Sequence, residues 1–211
     1  MSDFLLLLAV TVGAYLIGAI PSGLLISRLK GRDPLSEGSG KTGATNTFRT
    51  AGPAAGAIVL VLDLVKGFVS AFIARLFAWP DEVWASVAVG ASGAAAIIGH
   101  NWSVWVRLLA RKWGGGRGIM TAFGAMLTVS PWVALAALLA GGATIVITRY
   151  MAWGALVGAV AGVGTVILLG VLGAISPWLV PGAVLWGLLV ILGFHDNIGR
   201  LFRGAEPKLG T

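Results

Sequence analysis

The sequence predicts an all-α, polytopic membrane helix bundle with about seven transmembrane helices, the N-terminus outside and the C-terminus cytoplasmic. Three observations predict it. Hydrophobic residues make up 57% of the chain and charged ones 11%, with a mean hydropathy of +0.92, which is more apolar surface than a water-soluble fold can cover. Long apolar runs recur along the whole chain. The basic residues fall almost entirely in alternate connections between those runs. At roughly 20 apolar residues per crossing, the length leaves space for about six or seven spans and none for a separate soluble domain, so 1–211 reads as a single integral membrane domain.

The apolar runs are 4–27, 54–79, 83–99, 119–130, 132–148, 152–173 and 178–195. The first starts at Asp3, has no basic leader and outlasts a signal-peptide core, so it reads as a retained span. The second carries Asp63 and Lys66, three apart and on one helix face, either paired with each other or turned towards a substrate. The third ends at Gly99-His100. The fourth is too short to span at ordinary thickness and reads as a tilted half-helix or as one arm of a hairpin turned at Pro131. The sixth carries Gly154, Gly158 and Gly162, whose spacing forms a small-residue face for close helix packing.

Charge placement sets the orientation. Arg28, Lys30, Arg32, Lys41 and Arg49 share one connection and Arg107, Arg111, Lys112 and Arg117 another, while Arg149 follows the fifth run and Arg200, Arg203 and Lys208 lie in the tail. The opposite connections hold Asp81-Glu82 and the nearly neutral 173–177. The positive-inside rule therefore places the basic loops in the cytoplasm, with Trp79, Trp84, Trp132 and Trp178 as an outer aromatic belt and Arg75 snorkelling at the outer interface. Topology and anionic lipid account for the net charge of +7 without any nucleic acid partner. With no cysteine and two histidines, disulfides, thiolate metal sites and a zinc site are not expected.

Three polar, glycine-rich stretches interrupt the apolar pattern. They are Glu37 to Asn46 followed by Arg49, Gly99-His100-Asn101-Trp102 through Gly114 to Gly118, and Asp196 to Leu201 with Glu206 and Lys208 behind it. Glycines alternating with Ser, Thr, Asn and basic residues at helix ends suit a phosphate cradle. Residues 35–42 nearly spell a nucleotide-binding P-loop, but Leu35 occupies the first glycine position and no strand precedes it, which argues against ATP or GTP.

These segments resemble the bacterial membrane acyl-phosphate:glycerol-3-phosphate acyltransferase family over nearly the whole chain. The first motif reads Gly38-Ser39-Gly40-Lys41-Thr42-Gly43-Ala44-Thr45-Asn46 with Arg49, and the second runs from Gly99-His100 to Gly115-Gly116-Arg117-Gly118. The third is Asn197-Ile198, Arg200-Leu201, Glu206 and Lys208, and Asp63 to Lys66-Gly67 also fits. Lys41 stands where the family usually has Asn. The second motif is a few residues longer than usual, with Lys112 as the displaced stand-in for its first lysine. Phe194 replaces the third motif's histidine, with His195 beside it.

The resemblance implies acyl transfer from acyl phosphate to glycerol 3-phosphate at the cytoplasmic face of the cell membrane, giving lysophosphatidic acid in phospholipid biosynthesis without a cofactor or metal. The expected catalytic residues are His100, Arg49 and Ser39. Substrate binding is expected of Gly38, Gly40, Lys41, Thr45, Asn46, Lys112, Gly115, Gly116, Arg117, Asn197 and Arg200, with Asp63, Lys66, His195 and Glu206 in support. Arg49 and Arg117 offer planar forks for two phosphates, and Lys41 and Lys112 offer point charges. His100 is open to three roles: general base, phosphate ligand or structural group at a helix end. No Asp stands five positions after either histidine, since Trp105 and Arg200 occupy those places. A mechanism of positioning and charge stabilisation, with a substrate phosphate oxygen taking the proton, is therefore favoured. A membrane transporter of a phosphate-bearing anion is the alternative, whereas a cytidine-alcohol phosphotransferase would need an aspartate cluster that the loops lack. Acyl-chain preference and oligomeric state are left open.

Overall fold

The computed structural model describes residues 2–209, and these form helices with no strand among them. The expected domain extends to Met1, Gly210 and Thr211, which lie outside the described residues. In chain order the helices are α1 (Asp3–Gly18), α2 (Ser22–Leu29), α3 (Ala44–Ala51), α4 (Pro53–Arg75), α5 (Glu82–Asn101), α6 (Val104–Ala110), α7 (Ile119–Val129), α8 (Pro131–Thr148) and α9 (Met151–Val171). A single 3-10 turn (Pro177–Leu179) then leads into α10 (Val180–Gly193) and α11 (His195–Phe202).

Five segments are long and apolar enough to cross a membrane: α1 with α2, α4, α5 with α6, α8, and α9. A sixth is added if the final pair, bent by 60° between α10 and α11, counts as one span. The count of about seven depended on the fourth apolar run. That run folds as α7 and has only 11 residues, about 16 Å of helix against a hydrocarbon core of about 30 Å. It turns at Ser130 directly into α8, where Ser130 accepts a hydrogen bond from the Trp132 N–H and Pro131 takes the first helical turn. Arg75, expected to snorkel at the outer interface, is exposed and also donates a guanidinium N–H to the Thr128 carbonyl at the end of α7. That bond satisfies a carbonyl that a helix C-terminus leaves unpaired.

Large apolar side chains such as Val146, Ile147 and Val171 are about 80% exposed, as a lipid-facing surface requires. The interior is mostly alanine, with Trp186, Phe194, Ile97 and Met126 among its bulkier members. Burying apolar groups is no driving force when the solvent is also apolar, so small residues that let backbones approach are the means of association. The interface of α4 with α7 shows this directly. A Cβ on Gly67 would collide with the Thr121 carbonyl, and one on Gly124 with that of Leu64. The α2–α3 loop, the α6–α7 loop and α11 with the tail all gather at one end of the bundle. At the other end, the α4–α5 and α9–α10 connections enclose a cavity of about 640 Å³.

Gly124→Val should drive the α4–α7 contact apart and destabilise the bundle by about 1–3 kcal/mol. Gly164→Ala, where a Cβ meets nothing within 4 Å, should leave thermal unfolding of the detergent-purified protein unchanged. Equal melting temperatures for the two variants would refute this account of the interface.

Candidate active site

The loop between α2 and α3 is built around one side chain. Asn46, 1% exposed, donates from its amide to the Pro34, Glu37 and Lys41 carbonyls at 2.9, 3.1 and 2.8 Å, and its Oδ1 accepts from the Ser39 N–H at 2.7 Å. Gly38, at φ 61°, packs against that amide, and a Cβ there would collide with Asn46 Oδ1. The chain is thus folded around Asn46, with Ser39 exposed at its crest.

The α6–α7 loop docks beside it. The Thr42 N–H donates to the Gly115 carbonyl at 3.0 Å, and the Gly116 N–H donates to the His100 carbonyl at 2.9 Å. Beneath lies a buried charged cluster. Lys66 Nζ pairs with Asp63 at 2.8 Å and donates to the Ile20 carbonyl at 3.0 Å, and His100 Nδ1 lies 3.6 Å from the same Asp63 oxygen. The His100 Nε2 edge faces Gly116 so closely that a Cβ there would collide with it.

The third stretch contributes Asn197 and Arg200 from α11. Glu206 holds both, accepting from the Asn197 amide at 2.5 Å and from Arg200 Nε at 2.7 Å. The tail that carries Glu206 is tied back to the α8–α9 turn, where Arg149 exchanges backbone and side-chain bonds with Leu209.

A cavity of about 600 Å³ opens between these segments. Its polar end is lined by Gly38, Ser39, Lys41, Thr45, Arg49, Arg117, Asp196, Asn197, Arg200 and Glu206. The remainder is apolar and runs between α7, α8 and α9. Arg117 lies with its guanidinium carbon 5.6 Å from the Phe194 ring centroid, in cation–π contact. Burial and then Arg200 push its pKa below the ordinary guanidinium value; Glu206 opposes this, Arg49 acts with burial, and Asp196 opposes again. Arg117 Nε and Asn197 Oδ1 are buried without a hydrogen-bond partner among the described residues.

The other expected residues are placed elsewhere. Gly40, Asn46, Gly115 and Gly116 shape the loops from behind. His100, Asp63 and Lys66 lie beneath the second loop and do not line the cavity. Lys112 Nζ donates to the Leu35 carbonyl at 3.2 Å, joining the first two loops. His195 is 78% exposed and lies 3.3 Å from Asp196. Sequence reasoning missed the apolar half of the cavity and the Phe194 contact. The glycine spacing on α9 hinted at close packing, which occurs where Gly154 and Gly158 meet Gly141 of α8, but the same face also lines the cavity.

The pattern that describes glycerol-3-phosphate acyltransferases matches residues 8–204. A glycerol-3-phosphate acyltransferase of Desulforamulus reducens is 37% identical over 202 residues, covering 95% of this chain and 94% of its own. One of Thermus thermophilus is 36% identical over 198 residues, 93% and 92% of the two chains. Among solved structures, the glycerol 3-phosphate form of PlsY, an integral membrane glycerol 3-phosphate acyltransferase, superposes with a TM-score of 0.84 at 33% identity over 97% of this chain and 96% of its own. Its lysophosphatidic acid form superposes with a TM-score of 0.82 at 31% identity. The chain belongs to the family of integral membrane glycerol-3-phosphate acyltransferases.

Proposed function

We propose that this enzyme transfers a fatty acyl group from acyl phosphate to the hydroxyl of glycerol 3-phosphate, releasing phosphate and leaving lysophosphatidic acid. The observation that carries the reading is the two-part cavity, a cationic end continuous with an apolar cleft. One end suits two phosphates, the other a fatty tail. Arg49, Arg117, Arg200 and Lys41 hold the phosphates, the arginines by paired N–H donors and the lysine as a point charge. Ser39 and Thr45 donate from neutral hydroxyls. The apolar walls exclude water, which would otherwise compete with glycerol for the acyl carbon.

The glycerol hydroxyl attacks the acyl carbon, the carbon–oxygen bond to phosphate breaks, and the hydroxyl proton passes to a phosphate oxygen. His100 acts in this scheme as a positioning residue, since its ring lies behind Gly116 and 3.6 Å from Asp63. Asn46, Lys112 and Glu206 likewise act on the loops and on Arg200. The active site faces the cytoplasm, with the N-terminus outside, as the distribution of basic residues implies.

Purified enzyme in proteoliposomes should form lysophosphatidic acid from acyl phosphate and glycerol 3-phosphate, and none when acyl-CoA replaces the donor; the reverse preference would sink the donor assignment. In the same assay Arg49→Ala and Arg117→Gln should each lose about 10- to 100-fold in kcat/KM, the worth of a charge-assisted hydrogen bond or two. Folded His100→Gln should keep turnover within about tenfold of wild type, because general-base catalysis would be worth 10²–10⁴-fold or so. A loss at the upper end of that range would return His100 to the role of base.

The absence of cysteine makes the orientation testable. A single Lys30→Cys should react with a membrane-impermeant maleimide only after cells are opened, and Glu82→Cys should react in intact spheroplasts. Labelling in the opposite order would invert the topology.

A further inference from the structure

The apolar part of the cavity has a floor, and one side chain makes it. On α7 the lining runs from Ile119 to Met126, on α8 from Ile145 to Ala137, and on α9 from Met151 to Ala159. Each wall is about 10–12 Å tall at the helical rise, space for about eight to ten methylenes of an extended tail. All three walls stop at the same level. Beyond it the interior is filled, with Val133 and Val166 fully buried and neither of them lining the cavity.

Met126, 2% exposed, closes that level. Its thioether crosses from α7 to α9 and fills the space that Gly162 leaves empty: a Cβ on Gly162 would lie 2.6 Å from Met126 Sδ, 2.8 Å from its Cε and 3.4 Å from the Ala137 Cβ. Gly162 therefore lets the methionine lie flat and keeps the floor low. To one side, Leu60 of α4 and Leu138 of α8 also line the cavity while remaining 41% and 57% exposed, so that side opens towards lipid. A tail that reaches the floor with carbons to spare has to bend out between these two leucines.

We propose that Met126, seated on Gly162, is the acyl-chain specificity determinant of this enzyme, its thioether setting how many tail carbons lie straight within the cleft. This rests on the acyl phosphate reading above. A tail leaving lipid for the cleft gains no hydrophobic free energy, because both surroundings are apolar. Discrimination among chain lengths then comes from shape, through the bend that a tail longer than the cleft has to make at the floor.

The test is a competition in proteoliposomes. Saturating glycerol 3-phosphate is supplied with an equimolar mixture of saturated acyl phosphates of about 10 to 18 carbons, and the lysophosphatidic acids formed are resolved by mass spectrometry. Met126→Ala should move the product distribution towards longer chains, raising the ratio of longest to shortest product about tenfold. Gly162→Ala, which lifts the thioether into the cleft, should move it towards shorter chains. Met126→Leu, of similar volume, should keep the wild-type distribution. If Met126→Ala does not accumulate in the membrane, Ala159→Val narrows the same level and should act as Gly162→Ala does. Active variants that all keep the wild-type distribution would overturn the proposal while leaving the reaction assignment intact. No product from wild-type enzyme at any chain length would instead overturn the donor reading, and the proposal with it.

Discussion

The ion pair of Lys66 with Asp63 is the contact on which the polar end of this bundle depends. An isolated charge among membrane helices is expensive, and it persists where it is paired with another charge or with a backbone carbonyl. Lys66 reaches Asp63 on its own helix and the Ile20 carbonyl where α1 breaks into α2. Asp63 in turn faces His100 at the end of α5. Three helices are thereby tied at the depth where α1 gives way to α2 and α5 ends, against the continuous middle of α4. The neighbouring bonds continue the tie: Ser103 donates to the Ala19 carbonyl at 2.5 Å, and the Tyr15 hydroxyl donates to the Trp102 carbonyl at 3.0 Å. On this base the α6–α7 loop can lie flat, with Gly116 against the imidazole and Gly115 bonded across to Thr42.

The cationic groups above that base are short of counter-charge. Arg117 feels Arg200 and Arg49 as well as its own burial, and Glu206 is the buried carboxylate at this end of the cavity. Glu206 already serves two groups, Asn197 and Arg200. Its removal would free Arg200 and leave Asn197 without its acceptor, so its effect on activity runs through the geometry of others. Aromatic support substitutes for a second carboxylate at Arg117, where Phe194 carries the guanidinium by cation–π contact and leaves Nε unpaired. A carboxylate in that place would have bonded the fork that a phosphate needs.

Much of this architecture was legible in the sequence. Each apolar run became a helix because the bilayer forces backbone polar groups to be satisfied within the segment. The short run at 119–130 was recognisable as shorter than an ordinary span, and it folds as α7 with 11 residues. Its pairing with α8 was readable from Pro131, whereas the bond from Arg75 to the last turn of α7 was not, because a basic residue near a span end looks the same in sequence whether or not it also caps a neighbouring helix. At the polar end, sequence chemistry gathered Ser39, Arg49, Arg117, Asn197 and Arg200, all of which line the cavity. It could not separate them from Asn46 and Lys112. An amide or an ammonium serves a phosphate and a backbone carbonyl equally well, and only the fold shows Asn46 satisfying four loop partners. The apolar cleft left no distinct signal, since a helix face of Gly154 and Gly158 reads as packing whether a neighbouring helix or an empty space lies against it.

The two halves of the cavity must contribute differently to catalysis, because they exchange with different solvents. A phosphate entering from water loses strong hydration, and the arginines have to replace it with charge-assisted bonds in a place of lower dielectric. A fatty tail entering from lipid loses almost nothing and gains almost nothing. Binding energy, and any part of it directed at the transition state, therefore resides at the phosphate end. On the proposed reading the cleft acts by geometry, leading a tail into the polar end that Ser39 and Arg49 line. Departure follows the same division: in the proposed reaction the lysophosphatidic acid keeps the tail but has one phosphate where acyl phosphate and glycerol 3-phosphate had two, so the product is held at its head by fewer bonds and at its tail by little more than shape.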